Sequence, residues 1–403
     1  MIDWDSDEQH IAAYEKYYFD KKYRDSMAKK GLERMKRQTL EKLFTCMISI
    51  LLVCAFCFAA SAENAADSAE FTIEGKTLVK YNGPGGEVTV PEGIEVLGEW
   101  AFEHARVTKV NLPETLKEIK NYCFYGCEGL SDITLPASLR KISEAQAFAY
   151  NSSLKEIKVA EGNRQFKSVD GVLFTANGQK LLYYPDGKSG AYEIPEGTRQ
   201  LGYSAFGHPE MTSLTIPATL GKLDGGDISL IPALKEIKIS EKHRTYHMVG
   251  GAMYDRGRNL IAYACGDEKE ELKPEDFEEK TGKIENWAFQ GNQHLKKVEF
   301  PEGVKKIGWM CFTWADALEE VIVPASVKTI EQYAFAHCPN LKKVTILNPW
   351  VTMPRDQRNQ DPLKENIFRY SNENAVLCGP ANSNVQKYAE SHGLKFEALE
   401  PAK

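Results

Sequence analysis

Apolar residues recur along most of this chain in units of 22 or 23 residues. Each unit follows the pattern Leu-x-x-Ile-x-Leu-Pro-x-x-Leu-x-x-Ile and then Ala-Phe, as in the stretch from Leu112 to Pro136. Prolines mark the units at Pro91, Pro113, Pro136, Pro195, Pro217, Pro301 and Pro324. The aromatic anchors are Phe102, Phe124, Phe148, Phe206, Phe289, Phe312 and Phe335, with Ile228 in the anchor place of a degenerate copy. A fixed period in the twenties predicts a solenoid of stacked coils.

The pattern within one unit predicts which parts are strands and which are turns. The run Leu130-x-x-Ile133-x-Leu135 ends with apolar and polar residues in alternation. This alternation is typical of a strand with one buried face. The stretch NYCFYG, Asn121–Gly126, is too short for a full helix and predicts a helical turn. By register, strands are predicted near residues 89, 111, 134, 158, 193, 215, 238, 272, 299, 322 and 345. The fold class is therefore a β-rich solenoid of the α/β type with short helical turns.

The chain also contains a second, longer repeat, because two similar segments begin at Leu154 and Leu234, 80 residues apart. Each holds two β-rich runs around a turn, Ala176–Gly178 in the first and Asp255–Gly257 in the second. Asn-Gly in the first turn is a strong hairpin signal. We interpret both segments as β-hairpin insertions in the solenoid, near residues 163–186 and 243–266.

The C-terminal tail departs from the repeat. Its pattern predicts a strand, a short helix from about Ser383 to Ser391, and a second strand. Terminal units of a solenoid usually cover the open core. We therefore expect the solenoid to span residues 63–370 and a C-terminal cap to span residues 371–403.

One segment near the N-terminus is of a different kind. Residues 43–62, LFTCMISILLVCAFCFAASA, carry no charge, with basic residues just before them and acidic residues just after. This polarity indicates export with the N-terminal side left in the cytoplasm. Two interpretations stay open: a permanent transmembrane helix, which needs about 20 apolar residues, or a signal peptide that is cut after Ala62.

Residues 1–42 have a different meaning under each alternative. They form a cytoplasmic tail if the apolar segment remains as an anchor. If the signal peptide begins at Met35, residues 1–34 are an extension from a start codon that was assigned too early. Both alternatives place the repeats outside the cytoplasm, secreted, at the cell surface or anchored to the membrane through residues 43–62.

Charge and motif content argue against several functions. The formal charge of −7 is spread over interspersed acids and bases, so we expect no nucleic-acid partner. The nucleophile, phosphate-binding and metalloprotease motifs are all missing, and we predict no enzyme, cofactor or metal site. His243 and His247 are four apart but lack a third ligand. Core packing is the favoured role for the repeat-locked cysteines, with oxidation of a stacked pair left open; the cysteines after residue 62 are Cys123, Cys127, Cys265, Cys311, Cys338 and Cys378.

The repeat resembles the BspA-like leucine-rich repeats of bacterial surface proteins. The resemblance rests on LPETLKEIKNYCFYGCEGL, FPEGVKKIGWMCFTWADAL and VPASVKTIEQYAFAHCPNL, and it extends over about residues 71–398. It implies a leucine-rich-repeat solenoid that is secreted or surface-exposed and binds proteins or glycans, often host or matrix molecules. It implies no shared catalytic centre.

The strand register predicts a broad binding face, because residues between the buried strand positions point to one side. The candidate face residues are Lys109, Asn111, Asp132, Thr134, Glu156, Lys158, Ser213, Thr215, Glu236, Lys238, Lys297, Glu299, Glu320, Ile322, Lys343 and Thr345. Aromatic side chains of the hairpins are a second candidate if they are exposed, although packing against the coil is the alternative. These residues are Tyr183, Tyr184, Tyr246, Tyr254 and Tyr263.

The main hypothesis from the sequence is a non-enzymatic, exported bacterial solenoid that acts as a binding or adhesion module. The first rival is a membrane-anchored structural or signalling protein with extracytoplasmic repeats. The second rival is an exported hydrolase that uses the hairpin region. The ligand and the oligomeric state are not determined by the sequence.

Overall fold

Each coil of the repeat contributes one strand to each of two layers of β-sheet, with the apolar side chains between them. The computed structural model describes residues 70–143, 145–202, 204–207, 209–223, 225–229, 231–354 and 367–400. The predictions for residues 1–42 and 43–62 lie outside these described residues.

The first part of the solenoid holds two sheets. Its strands are β1 (Phe71–Glu74), β2 (Thr77–Tyr81), β3 (Gly86–Thr89), β4 (Val96–Leu97), β5 (Val107–Asn111), β6 (Glu118–Ile119), β7 (Asp132–Leu135), β8 (Lys141–Ile142) and β9 (Glu156–Val159). Strands β3, β5, β7 and β9 form one parallel sheet, and β2, β4, β6 and β8 form the other, with β1 antiparallel at its edge. A short 3-10 turn spans Ala145–Phe148.

The middle part follows the same plan with two antiparallel interruptions. Its strands are β10 (Phe166–Val169), β11 (Val172–Thr175), β12 (Lys180–Tyr183), β13 (Ser189–Glu193), β14 (Gln200–Leu201), β15 (Glu210–Ile216), β16 (Glu236–Ile239), β17 (Tyr246–Val249), β18 (Ala252–Asp255) and β19 (Leu260–Tyr263). Strands β13, β15 and β16 form a parallel sheet, and a 3-10 turn spans Gly225–Asp227.

The last part is the most regular. Its elements are β20 (Glu271–Leu272), β21 (Lys283–Ile284), β22 (Lys297–Glu299), β23 (Lys306–Ile307), β24 (Glu320–Val323), β25 (Thr329–Ile330), β26 (Lys343–Ile346), β27 (Val376–Gly379), helix α1 (Asn384–Ser391) and β28 (Lys395–Ala398). Strands β20, β22, β24, β26, β27 and β28 form one parallel sheet. Strands β21, β23 and β25 continue β17–β19 in the other layer, and a 3-10 turn spans Pro274–Asp276.

All eleven strands predicted from the register are present, as β3, β5, β7, β9, β13, β15, β16, β20, β22, β24 and β26. The second layer consists mainly of two-residue strands and was not predicted. An example is Glu118–Ile119, which pairs in parallel with Lys141–Ile142. Two residues are too few to show alternation, so only the pairing in three dimensions identifies them.

Two antiparallel units of three strands, β10–β11–β12 and β17–β18–β19, occupy the two segments of the longer repeat. Their last strands pair in parallel with β14 and β21, so both units are continuous with the second layer. The sequence reading missed their tightest turns, Asp170–Gly171 and Gly250–Gly251, where all four φ angles lie between 51° and 84°. Asp-Gly and Gly-Gly are the residue pairs that a two-residue hairpin of this kind favours.

Stacked rings form a column in the first part of the core and again in the last part. All seven predicted phenylalanine anchors and Ile228 are buried. The ring centroids of Phe289 and Phe312 lie 4.8 Å apart, and those of Phe312 and Phe335 lie 5.6 Å apart. Phe102 and Phe124 repeat this contact at 5.1 Å. Each such pair stabilises the stack by about 0.5–1.5 kcal/mol beyond the apolar area it buries.

The turn before most of the anchors uses a left-handed backbone position. At this position, two residues before the anchor, φ lies between 56° and 58° in Trp100, Tyr122, Trp287 and Tyr333. A non-glycine residue pays roughly 1–2 kcal/mol for this conformation. The adjoining anchor amides bond to the next coil: Phe102 N donates to Cys123 O at 2.8 Å, and Phe289 N donates to Cys311 O at 2.9 Å. These bonds offset the strain and add a third ladder along the stack.

Helix α1 covers the C-terminal end of the apolar interior. Ser383 is its N-cap, since the Ser383 hydroxyl accepts a hydrogen bond from the Gln386 amide at 3.2 Å. The buried side of the helix, which includes Val385 and Tyr388, joins the same apolar cluster as Leu377 of β27. The order of strand, helix and strand agrees with the pattern read from the sequence.

Replacing one ring of the column should destabilise the solenoid strongly. Phe312→Ala is expected to lower the free energy of unfolding by about 3–5 kcal/mol, because a buried ring is lost and a cavity remains. Trp350→Ala is the control, since Trp350 is 70% exposed and its loss should change stability by about 0.5 kcal/mol or less. Urea unfolding followed by circular dichroism measures both. Equal effects of the two substitutions would contradict the role assigned to the column.

Candidate binding face

The outward side chains of three parallel sheets form the candidate binding face. We name its parts the first face (β3, β5, β7 and β9), the middle face (β13, β15 and β16) and the third face (β20, β22, β24, β26, β27 and β28). Side chains alternate along each strand, so Val110 and Ile133 point inward while Lys109 and Asp132 point outward. Of the predicted face residues all are exposed or half-buried except Thr345, which is 9% exposed.

Thr345 is a correction to the predicted face. It lies in register with Cys378 of β27, and the C-terminal strands continue the sheet over its side. Cys378 is itself buried, with its thiol 3.7 Å from the Glu397 carboxylate. The sequence pattern treated β26 as the last strand of the face, so it could not anticipate this cover.

The first face carries a hydrogen-bonded group around Glu87, which the sequence reading did not select. Lys109 Nζ lies 2.8 Å from Glu87 Oε1, and Asn111 Nδ2 donates to the same oxygen at 3.2 Å. Asn111 also donates to Thr89 Oγ1 at 3.2 Å. The hydrogen bond from Lys109 and, after it, the one from Asn111 lower the pKa of Glu87.

Two carboxylates stand side by side further along the first face. Asp132 and Glu156 are register partners on β7 and β9. One amine serves both, because Lys158 Nζ lies 3.2 Å from Glu156 Oε2 and 3.9 Å from Asp132 Oδ1. A depression of about 160 Å³ lies beside Asp132, between β5 and β7. Its lining residues are Lys109, Val110, Asn111, Leu112, Glu114, Asp132, Ile133, Thr134 and Pro136.

The middle face is small and polar. Ser213 pairs with Glu236 and Thr215 pairs with Lys238 across β15 and β16. The Ser213 hydroxyl donates to Glu236 Oε2 at 3.4 Å, and Lys238 Nζ lies 3.0 Å from the same oxygen. Glu236 and Lys238 are exposed, so this pair presents one charge of each sign to solvent.

The third face is a ladder of alternating charge. In each successive strand, the first residue and the residue just before it carry the same charge, and the sign alternates from strand to strand. The pairs are Glu270 and Glu271, Lys296 and Lys297, Glu319 and Glu320, and Lys342 and Lys343. Lys297 Nζ lies 3.6 Å from Glu271 Oε1 and 3.7 Å from Glu320 Oε2. The residues just before these form ion pairs in the same way: Lys296 Nζ lies 2.6 Å from Glu270 Oε1, and Lys342 Nζ lies 2.7 Å from Glu319 Oε2. Opposite charges on neighbouring strands favour this register.

Directly after β26, the chain exposes two large apolar side chains. Leu347 is 39% exposed and Trp350 is 70% exposed. The loop between them is held by hydrogen bonds, because Trp350 N donates to Asn348 Oδ1 at 2.9 Å and Asn384 N donates to Pro349 O at 2.8 Å. The sequence reading missed Trp350, for which the only signal was the break in the repeat at Asn348-Pro349.

The hairpin tyrosines are not on the surface, which corrects the second candidate set in favour of the packing alternative. The exposed fractions are 0% for Tyr183, 1% for Tyr184, 5% for Tyr246, 0% for Tyr254 and 4% for Tyr263. Two of them extend the ring column: the ring centroid of Tyr183 lies 5.9 Å from that of Phe148, and the ring centroid of Tyr263 lies 5.5 Å from that of Phe289. A tyrosine suits such a position because its ring is apolar while its hydroxyl reaches the backbone, as Tyr183 OH does by donating to Phe148 O at 2.7 Å.

The histidines and cysteines also have local partners. His243 Nδ1 accepts hydrogen bonds from the amides of Thr245 and Tyr246, and His247 Nε2 lies 3.1 Å from Glu278 Oε2. The described part of the chain holds no group of three or more His, Cys, Asp or Glu side chains arranged to bind a metal. All six cysteines in that part are free and buried.

Within the ranges that the structure describes, every helix is too short or too polar to cross a bilayer. The apolar segment 43–62 lies outside those ranges.

The two-layered coils and their outward face define this protein as a leucine-rich-repeat solenoid. The chain belongs to the family described as the BspA type leucine rich repeat region, whose profile matches six copies over residues 81–175, 188–249 and 261–373. These matches cover more than half of the chain, and the resemblance inferred from the sequence is confirmed.

The comparison with solved structures found several similar proteins, and the one with a TM-score above 0.5 supports the same fold. A leucine-rich repeat protein from Eubacterium ventriosum is 16% identical, with 77% of this chain and 80% of that chain covered at a TM-score of 0.52. The pneumococcal vaccine antigen PcpA is 17% identical over 82% of this chain and 96% of its own, at a TM-score of 0.40. A leucine rich cell surface protein from Faecalibacterium prausnitzii is 17% identical over 86% of this chain and 96% of its own, at a TM-score of 0.42. A comparison with curated protein sequences found no match.

The buried cysteines should resist modification in the folded protein. Burial raises the pKa of Cys127 to about 12 and holds that of Cys123 well above its usual range, so neither thiol forms a reactive thiolate near neutral pH. Iodoacetamide at pH 8 should leave both unmodified, and addition of 8 M urea should expose both. Peptide mass spectrometry measures the labelling of each cysteine. Rapid labelling of Cys127 in native protein would contradict its placement in the core.

Proposed function

We propose that this chain is a non-enzymatic binding protein whose strand face contacts a protein or glycan partner at the bacterial cell surface. The observation that carries the proposal is the face itself: polar side chains on three parallel sheets, all but one of the predicted positions accessible. Solenoids use such extended faces for binding. Membership of the BspA type family supports the same role.

The third face offers the strongest contact point for that partner. A tryptophan in the centre of an interface often contributes most of the binding energy when polar side chains around it exclude water. Trp350 and Leu347 supply the apolar contact. Leu347 directly follows β26 and its amide donates to Val323 O of β24 at 3.0 Å, so we expect the charged rows of these strands to supply the polar surround. The ladder charges are already paired within the chain, so a partner need not neutralise them.

The position of the binding face relative to the membrane follows from residues 43–62. The basic residues before this segment and the acidic residues after it support export of the repeats. Cleavage after Ala62 would release the repeats as a secreted or surface protein. Retention of the segment would make the chain a single-pass membrane-anchored structural or signalling protein. This is the second candidate, because 20 uncharged residues just reach the length that a membrane-spanning helix needs.

Removing the apolar contact should weaken partner capture. The full chain is presented to immobilised matrix proteins and cell-wall glycans, and the bound ligand is titrated. Leu347→Ala with Trp350→Ala is expected to weaken binding at least tenfold. Ile73→Ala is the control, because Ile73 is also exposed and apolar but lies on β1 in the other sheet layer. Failure of the chain to bind any of these probes, or equal loss in both variants, would refute the proposal.

The mature N-terminus distinguishes the two candidates. Protein recovered from the producing cells is sequenced from its N-terminus after separation of membrane and secreted fractions. A chain that begins at Glu63 in the secreted fraction is the expected result. A membrane fraction that retains residues 43–62 would establish the anchored form instead.

A further inference from the structure

We propose that the depression on the first face takes an arginine side chain of a protein partner. This inference rests on the proposed binding function and assigns a chemical class to one contact within it. The depression lies between β5 and β7, with Asp132 on its wall and Glu114 at its rim.

The size of the depression suits a single side chain. A cavity of about 150 Å³ in another protein accommodates benzene, and this depression has a volume of about 160 Å³. Leu112 and Pro136 supply apolar wall, against which the methylene stem of a long side chain packs. The site therefore fits one extended side chain with an apolar stem and a polar head.

The charge of the site selects a cation. The outward rows of the first face hold three carboxylates, from Glu87, Asp132 and Glu156, but only two amines, from Lys109 and Lys158. Lys109 is held by Glu87 at 2.8 Å, and Lys158 lies closer to Glu156 than to Asp132.

Glu114 adds a further negative charge at the rim. Among the described residues, no lysine, arginine or histidine nitrogen forms an ion pair with Glu114 within 4 Å. Asp132 has only weak partners, because Lys158 Nζ lies 3.9 Å from its Oδ1 and the Ser131 hydroxyl donates to its Oδ2 at 3.1 Å. Asp132 and Glu114 are therefore the carboxylates with the most capacity left for a cation from outside.

The third face shows that this excess is local. Its outward rows contain four carboxylates, from Glu271, Glu299, Glu320 and Glu397, and four amines, from Lys273, Lys297, Lys343 and Lys395. Charges there are balanced along the stack. A cationic partner group is consequently attracted to the first face rather than to the whole strand surface.

The polar atoms of the depression favour arginine over lysine. A guanidinium group has five N–H donors in one plane and can bond two acceptors at once. Asp132 and Glu114 offer carboxylate oxygens from the wall and the rim. The amide nitrogen of Asn111 is already donated to Glu87 and Thr89, so its carbonyl oxygen is the atom that accepts.

A peptide titration tests the assignment. The probes are fluorescein-labelled Gly-Ser-Gly-X-Gly-Ser-Gly peptides with arginine, lysine or glutamine at X, and anisotropy reports binding to the full chain in mild detergent. The arginine peptide should bind at least tenfold more tightly than the glutamine peptide and severalfold more tightly than the lysine peptide. Glu114→Gln with Asp132→Asn should weaken the arginine peptide at least tenfold.

The matched control carries the same change of charge on the balanced third face. Glu299→Gln with Glu320→Gln should alter binding of the arginine peptide less than twofold. Equal loss in both double variants, or equal binding of the arginine and lysine or glutamine peptides, would overturn the inference. If the arginine peptide fails while capture that depends on Trp350 persists, only this inference is wrong; if both fail, the proposed function is wrong as well.

Discussion

Every coil of this solenoid depends on its neighbours to cover its apolar side chains. A unit of 22 or 23 residues has too little interior to bury its own anchor, so the ring of Phe312 packs between those of Phe289 and Phe335. Backbone hydrogen-bond ladders in the two sheet layers and in the turns also join each coil to its neighbours. Stability therefore comes from stacking, which is the general behaviour of repeat proteins.

This constraint leaves one side of each strand available for function. Because inward positions must be apolar, evolution can vary only the outward ones without disturbing the core. On the third face these positions are used for an alternating ladder of glutamates and lysines that pair within the chain. On the first face the same positions leave carboxylates in excess beside a depression, and just after β26 the chain exposes Leu347 and Trp350.

Much of the fold could be predicted because the repeat is redundant. Each anchor and each four-residue strand occurs several times, so an error in one copy is corrected by the others, as at Ile228. The outward positions of the candidate face could be predicted for the same reason. The predicted exposure of Thr345 was wrong because β27 and β28 continue the sheet there. The tyrosines Tyr183, Tyr254 and Tyr263 could not be assigned, since an aromatic ring with a hydroxyl suits both a surface and a ring column.

The sequence by itself determined the period, the inward anchors and the alternation that creates an outward face, because these are local patterns repeated along the chain. Only the tertiary structure decided which outward groups have partners. Glu87 meets Lys109 across 22 residues, and Asp132 meets Lys158 across the next coil boundary. Such contacts depend on how neighbouring coils are aligned. The residue type at one position does not indicate which group lies opposite it in the next coil.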